Sequence, residues 1–109
     1  MLRRSWGWNL MANFRSPKLL RYAKDAPRCM ACGRHNSGDV VMAHANWSEY
    51  GKGMSIKAND WAVAAMCGQC HSELDQGSKM EKEERKEMWR MAHVKTLAWL
   101  FETGMLAVV

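Results

Sequence analysis

Two pairs of cysteines carry the strongest chemical signal in this sequence. Cys29 and Cys32 form one C-x-x-C pair, Cys67 and Cys70 form a second, and the 109-residue chain has no other cysteine. Two such knuckles supply the four thiolates of a tetrahedral zinc site. The basic N-terminus lacks the apolar run of a secretory signal, which indicates a cytoplasmic protein. Because thiols stay reduced in the cytoplasm, we predict a structural Zn²⁺ on all four cysteines rather than disulfides.

Two histidines and a carboxylate could perform hydrolysis beside this zinc site. His71 directly follows the fourth cysteine, and Asp75 lies four residues later. On a helix these two side chains share a face, so together they could bind one Mg²⁺, Mn²⁺, Ni²⁺ or Zn²⁺ ion. His44 could serve as general base toward water, because an imidazole ordinarily titrates close to neutral pH. The ion would stabilise the departing phosphate oxygens.

Three predicted elements would position these residues. Residues 40 to 45 are a short apolar run that begins with β-branched residues, which predicts a strand ending near His44. Residues 61 to 66 predict a second strand that leads directly into the second knuckle. Residues 69 to 76 predict a helix, closed by Gly77. The order of these elements is a ββα unit whose base is clamped by zinc.

Two further helices are expected on either side of this unit. Ser16 and Pro17 predict the start of a short basic helix that runs to Lys24. A capping box at residues 78 to 81 predicts the start of a long C-terminal helix that ends near Thr103. Its apolar stripe is expected to face the core, and comprises Met88, Met91, Val94, Leu97, Ala98 and Phe101. The sequence therefore predicts an α+β domain over residues 15 to 109.

Charge is concentrated at the start of the chain. The net charge is +5, and residues 1 to 28 carry seven cations against one anion, so the remainder is close to neutral. A basic arm, residues 1 to 14, on a neutral body indicates a polyanionic partner, with nucleic acid the first choice. The predicted phosphate contacts are Arg15, Lys18, Arg21, Lys24, Lys52 and Lys57. No segment approaches the roughly 20 apolar residues needed to cross a bilayer, so no membrane partner is expected.

These residues together resemble a known family. The motifs that carry the resemblance are, in chain order, Ala43-His44, a loop rich in Gly and Lys, Asp60, Cys67-x-x-Cys70-His71 and Asp75. They are similar to HNH endonucleases of the His-Me finger, treble-clef type, and in particular to small phage and prophage nucleases. The resemblance covers roughly residues 11 to 104. It implies a zinc-stapled treble clef with a ββα-metal motif that hydrolyses DNA phosphodiester bonds in a bacterial host cell.

The resemblance also implies a role for each residue of the site. His44 would be the base that activates water, and His71 would be a ligand of the catalytic ion. Asp75 would take the second ligand position, four residues further along the same helix. Asn59 or Asp60 would fill the middle position of the motif, either orienting His44 or touching the ion.

Two positions depart from the family pattern and keep other interpretations open. Ala43 stands where many relatives have a metal-binding Asp or His, and Ala62 stands where the central Asn is commonest. His44 could instead be a packed histidine, and His71 could support a zinc thiolate by a hydrogen bond. One alternative function is a non-catalytic, zinc-dependent DNA-binding module. Another is a zinc-stapled protein-interaction module that docks through the Met/Trp surface of the long helix.

Overall fold

The computed structural model describes residues 13 to 109, which fold into a small α+β structure with a two-stranded sheet. Its elements in chain order are α1 (Pro17–Arg21), β1 (Val41–His44), β2 (Val63–Met66), α2 (Gly68–Gln76) and α3 (Lys82–Glu102). Short 3-10 turns cover Tyr22–Asp25 and Ser48–Tyr50. In this part of the chain, no helix combines the length and the apolar character needed to cross a membrane. The predicted arm lies outside the described residues, except for Asn13 and Phe14.

The two strands pair antiparallel, and both were predicted, although each is shorter than expected. Val41 pairs with Met66, and the register continues to His44, which pairs with Val63. All four residues of β2 are buried. The small side chains of Ala64 and Ala65 let neighbouring elements approach the sheet closely. The register places His44 at the end of β1, just before the chain leaves the sheet.

Helix α3 supports the sheet through side chains that hydrogen bond to the strand backbone. Trp89, which is fully buried, donates from Nε1 to the carbonyl oxygen of Ala43 at 3.0 Å. Thr96 Oγ1 accepts from the backbone N–H of Ala65 at 2.9 Å, and His93 Nδ1 lies 2.7 Å from the Val63 carbonyl oxygen. A two-stranded sheet is marginally stable alone, so these contacts and the apolar face of α3 hold it in place.

The predicted buried face of α3 was wrong. The structure buries Trp89, Ala92, Thr96 and Leu100 instead. The predicted stripe is largely exposed, with Met91 at 47%, Val94 at 52% and Phe101 at 50% of their accessible surface. The second half of α3 has apolar residues on two faces, so helical periodicity alone does not show which face is buried. Packing of the large Trp89 side chain decides between them, because its burial removes more apolar surface from water than any methionine in the stripe.

The first helix begins as predicted and the last does not. Ser16 caps α1, and its hydroxyl accepts from the backbone N–H of Leu19 at 3.2 Å. The cap of α3 is Glu81, whose side chain forms a reciprocal capping box with Glu84. The predicted start at Ser78 is therefore three residues too early. A carboxylate at the N-cap also interacts favourably with the positive end of the helix dipole.

Helix α2 ends at Gly77 as predicted, but without the left-handed glycine conformation. The backbone of Gly77 is extended, and its N–H donates to the carbonyl oxygen of Glu73. A Cβ atom at this position would lie 2.1 Å from the carboxyl carbon of Glu73. Any larger residue here would therefore require the carboxyl end of the Glu73 side chain to move.

Candidate functional site

The four cysteines converge into one cluster that could hold a structural metal ion such as zinc. Their four Sγ atoms all lie within 4.8 Å of one another, and the Cys32 and Cys67 sulfurs are 3.9 Å apart. Four thiolates at the usual zinc–sulfur distance of about 2.3 Å are separated by about 3.8 Å in a tetrahedral site. The observed cluster therefore matches the size of a four-thiolate zinc site. Cys67 caps α2, so the same cluster fixes the start of that helix.

Hydrogen bonds within the first knuckle favour the thiolate form that a metal requires. Burial raises the pKa of the Cys29 thiol, but hydrogen bonds from the backbone N–H groups of Cys32, Cys67 and Ala31 outweigh it and lower the pKa to about 7. The Cys29 sulfur accepts from the N–H groups of Ala31 and Cys32, each at 3.4 Å. Burial raises the pKa of Cys70, so ionisation of this thiol depends on a nearby positive charge such as a metal ion.

Asp39, which was not predicted as a site residue, joins the first knuckle to α2. Its Oδ2 accepts from the backbone N–H of Gly68 at 3.1 Å and from Nη2 of Arg34, also at 3.1 Å. The Gly68 N–H and the Arg34 charge together lower the pKa of Asp39. A carboxylate at this end of a helix is stabilised by the helix dipole. Asp39 therefore helps to set the direction of α2, which carries His71.

His71 and Asp75 lie on one face of α2 and contact each other, as expected from their spacing. Nε2 of His71 is 3.0 Å from Oδ2 of Asp75. Two neighbouring ligands of one ion, each bound at 2.0–2.2 Å, lie about 3 Å apart. The contact is an ion-pair distance between the two side chains, and the same spacing is compatible with two ligands of one divalent ion. Both side chains are partly exposed, at 38% and 43%, which leaves room for other ligands.

His71 and Asp75 supply two protein ligands, fewer than the four of a structural zinc site. Among residues 13 to 109, the cysteine cluster is the one place where three or more His, Cys, Asp or Glu ligand atoms converge. An ion on His71 and Asp75 would therefore complete its coordination with water or phosphate oxygens. Asn46 lies beside this pair and donates from Nδ2 to Oδ1 of Asp75 at 2.9 Å. Asn46 was not predicted as a site residue, because nothing in its local sequence indicates a contact with α2.

His44 is held by a buried carboxylate. Its Nε2 lies 2.7 Å from Oδ1 of Asp60, a residue that is 2% exposed. The other oxygen of Asp60 accepts from the backbone N–H of Ser16 at 2.7 Å, and Arg15 Nη1 lies 3.1 Å from Oδ1. Burial raises the pKa of Asp60, but the hydrogen bonds from His44 and Ser16, with the Arg15 charge, lower it overall. Asp60 is therefore ionised at neutral pH.

The ionised Asp60 decides which nitrogen of His44 carries the lone pair. A carboxylate accepts hydrogen bonds, so Nε2 is protonated and the lone pair of the neutral ring lies on Nδ1. Asn59, the other candidate for the middle position, forms its side-chain hydrogen bonds with groups other than His44. Its Nδ2 donates to the Tyr50 carbonyl at 3.0 Å, and its Oδ1 accepts from the Phe14 N–H at 2.8 Å. Asn59 thus joins two backbone segments, and Asp60 is the residue that orients the histidine.

His44, His71 and Asp75 line the same cavity, although β1 carries one of them and α2 the other two. The cavity has a volume of about 670 Å³ and is also lined by Asn46. Four cations predicted to bind phosphate lie on its walls, namely Arg21, Lys24, Lys52 and Lys57. Imidazole, carboxylate and several cations in one cleft could bind a phosphate group, position an ion and activate water.

Two predicted phosphate contacts do not line this cavity. The guanidinium of Arg15 bonds to Asp60 and to the backbone carbonyls of Lys57 and Ala58, at 2.9 Å and 2.5 Å for the carbonyls. Arg15 therefore stabilises Asp60 and the adjoining backbone, and it does not line the cavity. Lys18 is exposed on α1 but lies off the walls of the cavity.

Comparisons with known proteins do not assign this chain to a family. No protein-family model matches it, and no curated protein or solved structure is significantly similar to it.

Proposed function

We propose that this protein is a metal-dependent endonuclease of the HNH type, which hydrolyses phosphodiester bonds in DNA. The observation that carries the proposal is that His44, His71 and Asp75 line one cationic cavity. A base, a pair of ion ligands and phosphate-binding cations are the groups that metal-assisted phosphodiester hydrolysis needs. On this view the cysteine cluster is the zinc staple of a treble clef, and β1, β2 and α2 form its ββα-metal motif.

His44 has the central chemical role in this proposal. Nδ1 of His44 removes a proton from the attacking water, and the resulting imidazolium is stabilised by the carboxylate of Asp60, 2.7 Å from Nε2. Asp60 also prevents the ring from turning, because it is itself fixed by Ser16 and Arg15. A general base that is held in one orientation contributes typically 10²–10⁴-fold to a rate.

His71 and Asp75 would hold the divalent ion, and the cations of the cavity would hold the substrate. When bound, the ion supplies positive charge to the departing phosphate oxygen. Arg21, Lys24 and Lys57 neutralise phosphates of the DNA backbone, because each lies on the wall of the same cleft. Such contacts make DNA affinity fall steeply with salt concentration.

A DNA-binding module without catalysis is the second candidate, and one observation favours it. Ala43 is fully buried, and its carbonyl oxygen accepts a hydrogen bond from Trp89. It offers no side-chain ligand, so the ion site has two protein ligands. Phosphate-binding cations would still serve such a module.

A protein-interaction module is the third candidate. It is favoured by the exposed apolar stripe of α3, which includes Met91, Val94 and Phe101. The cationic cavity would have no role in such a module, and salt-dependent affinity for DNA would separate it from the second candidate.

Plasmid nicking tests the nuclease proposal directly. The wild type should nick DNA with Mg²⁺, Mn²⁺ or Ni²⁺, and His44→Ala should be about 10²–10⁴-fold slower. His35→Ala is the matched control, because His35 is exposed and does not line the cavity, so it should nick like the wild type. Equal rates for wild type and a well-folded His44→Ala variant would exclude His44 as the base. A wild type that cleaves neither duplex, single-stranded nor branched DNA with these ions is not a nuclease.

A further inference from the structure

A short hairpin projects at the rim of the cationic cavity. We define it as residues 52 to 57; its two ends, Lys52 and Lys57, both line the cavity. Between them Gly53 and Ile56 exchange two backbone hydrogen bonds of 3.0 and 3.1 Å, which closes a two-residue turn. The tip of this turn is Met54, which is 92% exposed, and Ile56 beside it is 53% exposed. The hairpin therefore presents an apolar tip between two lysines.

The base of the hairpin is clamped from several sides. Asn13 Nδ2 donates to the carbonyls of both Gly51 and Lys57, at 2.7 and 2.9 Å. Arg15 Nη2 donates to the Lys57 carbonyl at 2.9 Å. Gly51 has a left-handed φ of 91°, and a Cβ atom there would lie 2.5 Å from the amide nitrogen of Asn59. The base of the hairpin is therefore held by the side chains of Asn13 and Arg15.

The turn itself adopts a conformation that its sequence does not favour. Ser55 has a left-handed φ of 62°, at a turn position where glycine is usual. Such a conformation persists where the surrounding contacts impose it. Ser55 adjoins Met54, so this unusual backbone conformation lies at the exposed tip of the hairpin.

Isolated exposed apolar residues are common on protein surfaces and need no function. This tip differs in its surroundings, because residues 51 to 57 contain two lysines and no acidic residue. A polyanion is therefore the partner whose charge complements the hairpin. Proteins that bind duplex DNA often insert a Met, Ile, Leu or Phe between base pairs, while nearby cations hold the backbone.

We propose that Met54 is a wedge that enters the base stack of bound duplex DNA and bends it, with Ile56 supporting the wedge. Lys52 and Lys57 hold the phosphates on either side of the opened step. This inference rests on the proposed action on DNA and adds a substrate preference to it. Opening a stacked step costs free energy, and the cost is smallest at mismatches and flexible pyrimidine–purine steps. DNA with such steps should therefore bind more tightly than uniformly stacked DNA.

Fluorescence of 2-aminopurine in a short duplex measures this opening. Saturating wild-type protein should raise the fluorescence at one step and shorten the end-to-end distance in an energy-transfer assay. Met54→Ala should lose both changes, while Met54→Leu should retain them, because leucine can fill the same gap between bases. Val108→Ala is the matched control. The exposed fraction of Val108 is 91%, nearly the same as that of Met54, but Val108 lies in the C-terminal segment and not in the hairpin. Circular dichroism should show that all variants fold.

A second measurement separates a wedge from an ordinary surface contact. Met54→Ala should lose more affinity for a fully paired duplex than for one with a mismatch at the opened step, since a mismatch is already poorly stacked. Equal losses on both duplexes, or an unchanged fluorescence rise in Met54→Ala, would overturn the wedge and leave the nuclease proposal intact. A wild type that shows no affinity for DNA would overturn both.

Discussion

The cysteine cluster and the cavity that His44 lines differ in how many potential metal ligands they bring together. The cluster brings four sulfurs within 4.8 Å of one another from two local motifs. The cavity offers His71 and Asp75, both partly exposed, with His44 supplied by another element. Structural zinc sites are closed by protein ligands, whereas catalytic sites keep positions open for water and substrate. A site whose ligands all come from the protein can stabilise the fold, whereas a site with open coordination positions can bind water and substrate.

Removing a thiolate should have the largest effect of any change to this protein. Cys29→Ser leaves three thiolates, and structural zinc contributes about 10–16 kcal/mol of apparent binding free energy to a small domain. We expect this variant to lose both the metal and the folded state, as measured by metal analysis and circular dichroism. A protein that stays folded and metal-free, with Cys29–Cys32 or Cys67–Cys70 disulfides, would contradict the zinc assignment. His35→Ala serves again as the control with one zinc per chain.

Replacing His71 and replacing His44 should change the Mn²⁺ dependence and the rate of nicking in different ways. His71→Ala should raise the Mn²⁺ concentration needed for half-maximal nicking, because it removes an ion ligand. His44→Ala should leave that concentration unchanged and lower the rate at saturating Mn²⁺ by about 10²–10⁴-fold. Excess Mn²⁺ should partly rescue Asp75→Ala, in which His71 remains. If excess Mn²⁺ also rescues His44→Ala, His44 is an ion ligand and not the base.

Asp60 should couple stability to pH. Its lowered pKa stabilises the folded state above the ordinary carboxyl pKa of about 4, and this contribution disappears as pH falls through the folded-state value. Asp60→Asn leaves Arg15 and His44 without their carboxylate, and should cost about 3 kcal/mol at pH 7 in urea unfolding.

The difference from wild type should shrink as pH falls through the folded-state pKa of Asp60, and at pH 7 the variant should hold one zinc per chain, as the wild type does. Asp25→Asn, on the exposed 3-10 turn, is the matched control. A penalty for Asp60→Asn that does not change with pH would show that the carboxylate charge is not what stabilises the site.

Asn46 should affect the ion more weakly and leave the zinc untouched. Groups that orient a metal ligand typically contribute 10–100-fold to metal affinity, so Asn46→Ala should weaken Mn²⁺ binding in that range in calorimetry. Asn46→Asp should instead tighten it, because a further carboxylate would lie beside Asp75. Identical affinities for wild type and both variants would place the ion away from Asp75.

The sequence determined the features that depend on local spacing. Two C-x-x-C pairs were enough to predict the four-cysteine cluster. The i, i+4 spacing brought His71 and Asp75 together on α2, because helical geometry puts such residues on one face. A short apolar run that begins with β-branched residues predicted β1, and a short apolar run that leads directly into the second knuckle predicted β2. Both predictions were right to within two residues at their ends.

Tertiary packing decided which distant residues meet. The sequence left Asn59 and Asp60 as equal candidates, and the carboxylate of Asp60 reaches His44 because Ser16 and Arg15 bind it from the start of α1. Asn46 meets Asp75 because β1 and α2 pack side by side. The buried face of α3 was likewise settled by the fit of Trp89 against the sheet. Local periodicity shows which residues share a face of one helix or strand. Which face is buried depends on how the side chains of different elements fit together, and local sequence does not show which elements pack against each other.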